Sequence, residues 1–195
     1  MKRSDLSMKD ERSYEHRSEL ISLRSNLLDW ADSIIFALIV VMFFNLGFRI
    51  VNVNGGSMLP TLHTNDRLIV SCVNYHPQYG DIVVSVQENA VEKAIIKRVI
   101  AVGGQTVDID TEKGIVYVDG KALDEPYIYD LTYVIPYPPM EFPLTVPEGS
   151  VFVMGDNRND SLDSRSTAVG FIRERYILGK VVFRIFPFDQ IGSVS

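Results

Sequence analysis

One stretch constrains the chain more than any other: an apolar run within residues 30–50, whose middle, 33–44, holds no charged residue. A helix needs about 20 predominantly apolar residues to cross the hydrocarbon core of a bilayer, and this run supplies that length. Asp32, Asn45 and Arg49 crowd its ends, so the span is short and its end side chains snorkel toward water. It is long for the apolar region of a cleaved signal peptide, the polar lead before it is too long, and Phe44-Asn45-Leu46-Gly47 offers no small-x-small cleavage pattern. Nothing else in the sequence is apolar enough to wrap it as a buried helix. The run therefore predicts an uncleaved transmembrane anchor over 30–50. Arg12, Arg17 and Arg24 precede it, while Arg49 and Arg67 follow. The rule that counts basic residues puts the N-terminus in the cytoplasm. Residues 1–29 become a polar cytoplasmic tail of mixed charge, and residues 51–195 an extracytoplasmic domain.

What chemistry that domain can carry is narrowed by what it lacks. A formal charge of −6 over 195 residues gives no basic footprint for nucleic acid. The single cysteine, Cys72, excludes an intramolecular disulfide and a cysteine metal cluster. The three histidines, His16, His63 and His76, are scattered, with no His-Glu-x-x-His. Zinc sites need three or four clustered ligands, so no metal and no cofactor is expected.

The outer domain reads as β structure. Short segments at 67–70, 81–86, 94–102, 114–118, 150–154 and 179–186 are rich in β-branched and aromatic residues and bounded by Gly, Asp, Asn or Pro. Residues 126–147, with Ile135-Pro136-Tyr137-Pro138-Pro139, predict an irregular excursion. Residues 174–177 hint at a helical turn. The spacing predicts a mainly β fold, an antiparallel sandwich or partial barrel.

Three segments stand out for chemistry. Gly55-Gly56-Ser57-Met58-Leu59-Pro60 is a turn in which Gly56, Met58 and Pro60 frame a serine. A serine held where backbone approaches a ligand is a candidate nucleophile. Lys97 shares a strand face with Ile95 and Val99, while Arg98 shares the other with Ile96 and Ile100. A lysine at its ordinary pKa of about 10.4 is only about one part in 10³ neutral at about pH 7.4. Burial disfavours the ammonium, so a lysine in an apolar pocket becomes a usable base for a serine hydroxyl. A charged pair guarding a sheet edge is the plainer reading of that strand. The third segment, Gly155-Asp156-Asn157-Arg158-Asn159-Asp160-Ser161-Leu162-Asp163-Ser164-Arg165, is a loop after a strand. Its acids miss the spacing of a calcium loop, and Arg158 and Arg165 supply counter-ions, so Asp–Arg pairing inside the loop is expected.

Taken in order, Gly56-Ser57-Met58-Leu59-Pro60-Thr61-Leu62, Gly80-Asp81-Ile82-Val83, Ile96-Lys97-Arg98-Val99 and the Gly155 to Arg165 loop resemble bacterial type I signal peptidases. These are membrane-anchored Ser-Lys proteases that release exported proteins from their signal peptides. The resemblance implies Ser57 as nucleophile, Lys97 as general base and Ser161 as the hydroxyl that orients the lysine amine. It implies structural ion-pair positions at Arg98, Asp156, Arg158, Asp163 and Arg165. Gly55 stands where many members carry a hydroxyl as a second oxyanion donor, which leaves a water or another backbone N–H for that task. The run 166–170 is slightly longer than usual before its glycine. The implied partners are secretory preproteins with small residues at −1 and −3, and the bilayer of the bacterial cell membrane.

Other classes fit less well. A sortase-like transpeptidase needs Thr-Leu-x-Thr-Cys, and Cys72 lies elsewhere; a penicillin-recognising enzyme needs Ser-x-x-Lys, which is absent. An anchored β scaffold without activity, or one dedicated to surface-protein assembly, remains the alternative.

Overall fold

The computed structural model describes residues 30–42, 46–86 and 94–194. The cytoplasmic tail expected over 1–29 lies outside the described residues, as does part of the anchor, 43–45. Residues 30–42 are helical and exposed throughout, but among the described residues no helix is long and apolar enough to cross a membrane. The expected span also ends too late. Phe48–Asn52 is a strand, β1, paired residue for residue with Arg67–Ser71, β2, from Phe48↔Ser71 to Asn52↔Arg67. Phe48, Ile50 and Val51 suit a pleated ladder better than a helix, and the pairing satisfies backbone groups that a helix end would leave open. A boundary at Leu46–Gly47 separates the helical residues from the unit Gly47–Ser195.

That unit is mainly β and wholly antiparallel in its strand pairing. After β2 come β3 (Ile82–Ser85), β4 (Ile95–Val102), β5 (Thr106–Asp110), β6 (Ile115–Val118) and the two-residue β7 (Lys121–Ala122). Then follow β8 (Leu144–Thr145), β9 (Ser150–Met154), β10 (Ile172–Arg173), β11 (Ile177–Phe186) and β12 (Gly192–Ser193). The larger sheet runs β1-β2-β11-β3-β4-β9-β10 with β12 beside β11, and the smaller runs β7-β6-β5-β8.

Two layers meet where β4 and β9 face the smaller sheet. Ile100, Ala101, Phe152 and Met154 pack there with Val107, Ile109, Val116 and Val118. Phe142 and Phe171 close edge-on around Phe152. A second cluster gathers Val53, Met58, Leu62, Leu68, Val70, Ile82, Val84 and Val181. A third joins Val83, Ile95, Val99, Val153, Val169 and Ile172. The segment carrying Ser57 is thus anchored in one cluster and the face carrying Lys97 in another. Side chains of the sizes in these clusters contribute roughly 1.5–3 kcal/mol each when fully buried.

Most expected strands are present within a residue or two. The irregular excursion over 126–147 holds only the two residues of β8, and the helical hint becomes a 3-10 turn, Glu174–Tyr176. β5 was not anticipated. Thr106-Val-Asp-Ile-Asp alternates as a strand should, with Val107 and Ile109 buried and Asp108 exposed. Two aspartates lowered its apparent β propensity.

Candidate active site

Met58 and Leu62 fix the serine turn from below, because both are buried in the core. Leu59 N–H donates to the Gly56 carbonyl at 3.1 Å and Leu62 N–H to the Met58 carbonyl at 2.9 Å, winding residues 56–62 into consecutive turns. Gly55 has φ +95°, a backbone conformation that costs glycine little, and the Leu59–Pro60 peptide is cis. These bonds leave Ser57 half-buried at the top of the turn.

Lys97 projects from the middle of β4, opposite Val83 of β3. It is 5% exposed, and its Nζ donates to Ser57 Oγ at 2.8 Å and to the Ile96 carbonyl at 3.1 Å. Sequence separation between the two is large, so this contact depends on the β3–β4 pairing and on the serine turn together. The Ser57 N–H enters no hydrogen bond among the described residues.

The loop after β9 braces both. Asn157 N–H donates to the Ser57 carbonyl at 3.0 Å, and Asn157 Nδ2 to the Gly56 carbonyl at 3.1 Å. Gly155 must be a glycine: a Cβ there would overlap Ser161 Oγ and the Ser57 carbonyl. Asp156 is fully buried and takes a two-pronged ion pair from Arg98, Nε at 2.9 Å and Nη2 at 2.7 Å. Thr61 Oγ1 donates to the same carboxylate, tying the end of the serine turn to it. Arg98 also lies over the Tyr127 ring, 3.9 Å from its centroid, and donates to the Gly80 carbonyl. Two adjacent β4 residues therefore split their tasks by strand alternation: Lys97 faces Ser57, and Arg98 faces the brace.

The ion pairing differs from that expected within the loop. Asp163 and Arg165 do pair internally, Nε to Oδ1 and Nη2 to Oδ2, both at 2.8 Å. Burial opposes ionisation of Asp163, but the Arg165 guanidinium and the Gly155 N–H hold its carboxyl below the ordinary carboxylate range. Asp156, by contrast, pairs with Arg98, and Arg158 pairs outside the loop with Glu125, at 2.6 and 2.8 Å. Burial disfavours the Arg158 cation, and Glu125 more than offsets it, raising the pKa. Glu125 and Tyr127 carry no signal in the sequence, and Thr61 and Asn157 stand in its motifs without a role assigned to them. The loop carries three aspartates for its two arginines, so nothing in it signals a need for an outside acid.

Ser161 is brought near but not into contact. Its Oγ is buried and forms no hydrogen bond of normal geometry, so the bond to Lys97 implied by the resemblance is not formed in this structure; the hydroxyl instead lies toward Asp163, whose anion it favours.

Above Ser57 and Lys97 lies a cleft of about 540 Å³. Val51, Val53, Val84 and Ile96 form one apolar wall, and Ile95, Leu162 and Val169 another, with Asp160 beside them. The cleft sets a hydroxyl and an amine side by side between apolar walls.

The family model described as signal peptidase, peptidase S26, matches residues 27–186. A probable signal peptidase I-1 of Synechocystis sp. is 46% identical over 150 residues, covering 71% of each chain. Signal peptidase I S of Bacillus subtilis is 33% identical over 189 residues, 92% of this chain and 100% of that one. A crystal structure of a signal peptidase I from Enterococcus faecalis V583 superposes with a TM-score of 0.44 at 30% identity, over 54% of this chain and 97% of the other. A match over residues 27–186, joined by a 33% identical relative covered along its whole length, means that this chain belongs to the signal peptidase family, peptidase S26.

Proposed function

We propose that the chain is a membrane-attached serine endopeptidase that removes signal peptides from exported preproteins, with Ser57 as nucleophile and Lys97 as general base. The observation that carries this is the 2.8 Å contact between Lys97 Nζ and Ser57 Oγ on the floor of an apolar-walled cleft. In the neutral state the amine accepts the Ser57 proton as Oγ attacks the scissile carbonyl. The resulting ammonium then protonates the leaving amine. A water, deprotonated by the same lysine, hydrolyses the acyl-enzyme.

The uncommitted Ser57 N–H supports a role as an oxyanion donor; removing such a donor costs about 3–4 kcal/mol where measured. Walls of valine and isoleucine suit apolar side chains of the substrate, and the resemblance to signal peptidases implies small ones at −1 and −3. Arg98, Asp156, Arg158, Asp163 and Arg165 are structural: they hold the loop that pins the Ser57 carbonyl. Attachment to a bilayer is supported by residues 30–42, a helix whose apolar side chains, among them Ile34, Phe36, Leu38 and Ile39, are all exposed. It would bring Ser57 close to membrane-bound substrate and raise the effective concentration of both.

The test is cleavage of a preprotein with an Ala-x-Ala site by the full chain in detergent, beside Ser57→Ala and Lys97→Met, with the new N-terminus sequenced. Cleavage after Ala-x-Ala that both substitutions abolish is expected. Cleavage surviving Ser57→Ala would overturn the assignment, and none by wild type on several preproteins would favour an inactive scaffold.

A further inference from the structure

Three aspartates follow β9, and one behaves unlike the others. Asp156 and Asp163 are fully buried and paired with arginines. Asp160 is exposed, and among the described residues its carboxylate makes no hydrogen bond or ion pair. It nevertheless lines the cleft over Ser57. Among the described residues lining that cleft only Lys97 and Asp160 are charged, and the Lys97 amine is engaged with Ser57 Oγ and the Ile96 carbonyl. Among the described residues Asp160 therefore carries the cleft's free charge.

We propose that Asp160 is a specificity-determining residue that reads the charge of the substrate beside the scissile bond, favouring Lys or Arg over Asp or Glu. The inference rests on the peptidase role proposed above. A peptide whose scissile carbonyl sits at Ser57 must pass the Asp160 side of the cleft on one flank. Asp160 shares the cleft with the apolar Leu162 and Val169, and because its carboxylate is exposed its effect on a passing charge is modest and falls with salt. The interaction forms when substrate binds and does not change as the carbonyl becomes tetrahedral. It therefore belongs in KM and leaves kcat alone.

Peptide substrates carrying Lys, Gln or Glu singly at each position within three of the cleavage site would be cleaved by the full chain in detergent, at low and high salt. On one flank, wild type should prefer Lys to Glu by about three- to tenfold in kcat/KM, through KM, and less so at high salt. Asp160→Asn should bring that ratio below about twofold, and Asp160→Lys should invert it. The same ratio in all three proteins, or no charge preference in wild type at any position, overturns the inference while leaving the peptidase role standing. Absence of any cleavage that Ser57→Ala abolishes removes both.

Discussion

Lys97 Nζ donates to Ser57 Oγ at 2.8 Å, with its side chain 5% exposed and a second bond running to its neighbour's carbonyl. The direction of that bond sets a pH dependence. An ammonium has three donors and no lone pair, so it can hold the hydroxyl but cannot take its proton. Only the neutral amine can reverse the bond. Cleavage measured from about pH 6 to 10 should therefore rise with pH, limited on the acid side by protonated lysine. A kcat that is flat over this range would exclude Lys97 as the base.

Gly155 and Gly192 offer a matched pair of substitutions. A Cβ on Gly155 would overlap Ser161 Oγ and the Ser57 carbonyl, whereas one on Gly192 meets nothing within 4 Å. Gly155→Ala should cost about 1–3 kcal/mol or more of stability through overpacking, and it should lower activity by displacing the serine turn. Gly192→Ala should be neutral, or stabilising by up to about 1 kcal/mol, because it restricts the unfolded chain. Urea unfolding and cleavage rates measured on both variants give the answer. Equal behaviour would show that the Gly155 loop yields where the packing says it cannot.

The sign of the Asp163 shift makes a prediction about acid. Its carboxyl is held below the ordinary range in the folded chain, despite complete burial, because Arg165 and the Gly155 N–H favour the anion. A depressed folded pKa contributes stability that is present above the unfolded value of about 3.9 and is lost as pH falls through the folded one. Asp163→Asn should therefore lower stability at neutral pH and flatten its decline below about pH 5. It leaves Arg165 buried without its partner, which typically costs about 3–5 kcal/mol. Stability against pH, followed by urea midpoints, decides it: a variant that loses stability in acid as steeply as wild type would place the acid sensitivity elsewhere.

How much of this was written in the sequence depends on the range of the contact. Ser57 and Lys97 stand out only when their segments are read in order with the others as a resemblance to the signal peptidases; alone, one is a turn and the other a sheet-edge pair. Most strands were legible from local runs of β-branched and aromatic residues between turn residues. β1 was not, because Phe48, Ile50 and Val51 continue the composition of the apolar run before them. What separates them from it is pairing with β2, a contact between distant positions. Glu125 was hidden likewise: its partner Arg158 sits among aspartates that looked sufficient, and only the folded chain shows Asp156 committed to Arg98 instead. Ion-pair partners chosen across a fold leave little local trace.

Ser161 sets the last test, because its likeness to a lysine-orienting hydroxyl and its present geometry pull apart. Its Oγ is buried and makes no hydrogen bond of normal geometry, though it lies toward the Asp163 carboxylate and favours its anion. It also packs against Gly155, the residue that shares its space with the Ser57 carbonyl. A hydroxyl kept there without a bond is worth most if it gains one as the amine gives up its contact with Ser57 during proton transfer. Ser161→Ala should then change stability by less than about 1 kcal/mol in either direction, since no hydrogen bond of normal geometry is lost. It should lower kcat by about tenfold with KM intact, because the lost interaction forms only on the way to the transition state. A drop in stability beyond about 1.5 kcal/mol would mean the hydroxyl serves the fold, since that is the size of a lost hydrogen bond. An unchanged kcat would mean that Lys97 is held by Ser57 and the Ile96 carbonyl without help from Ser161.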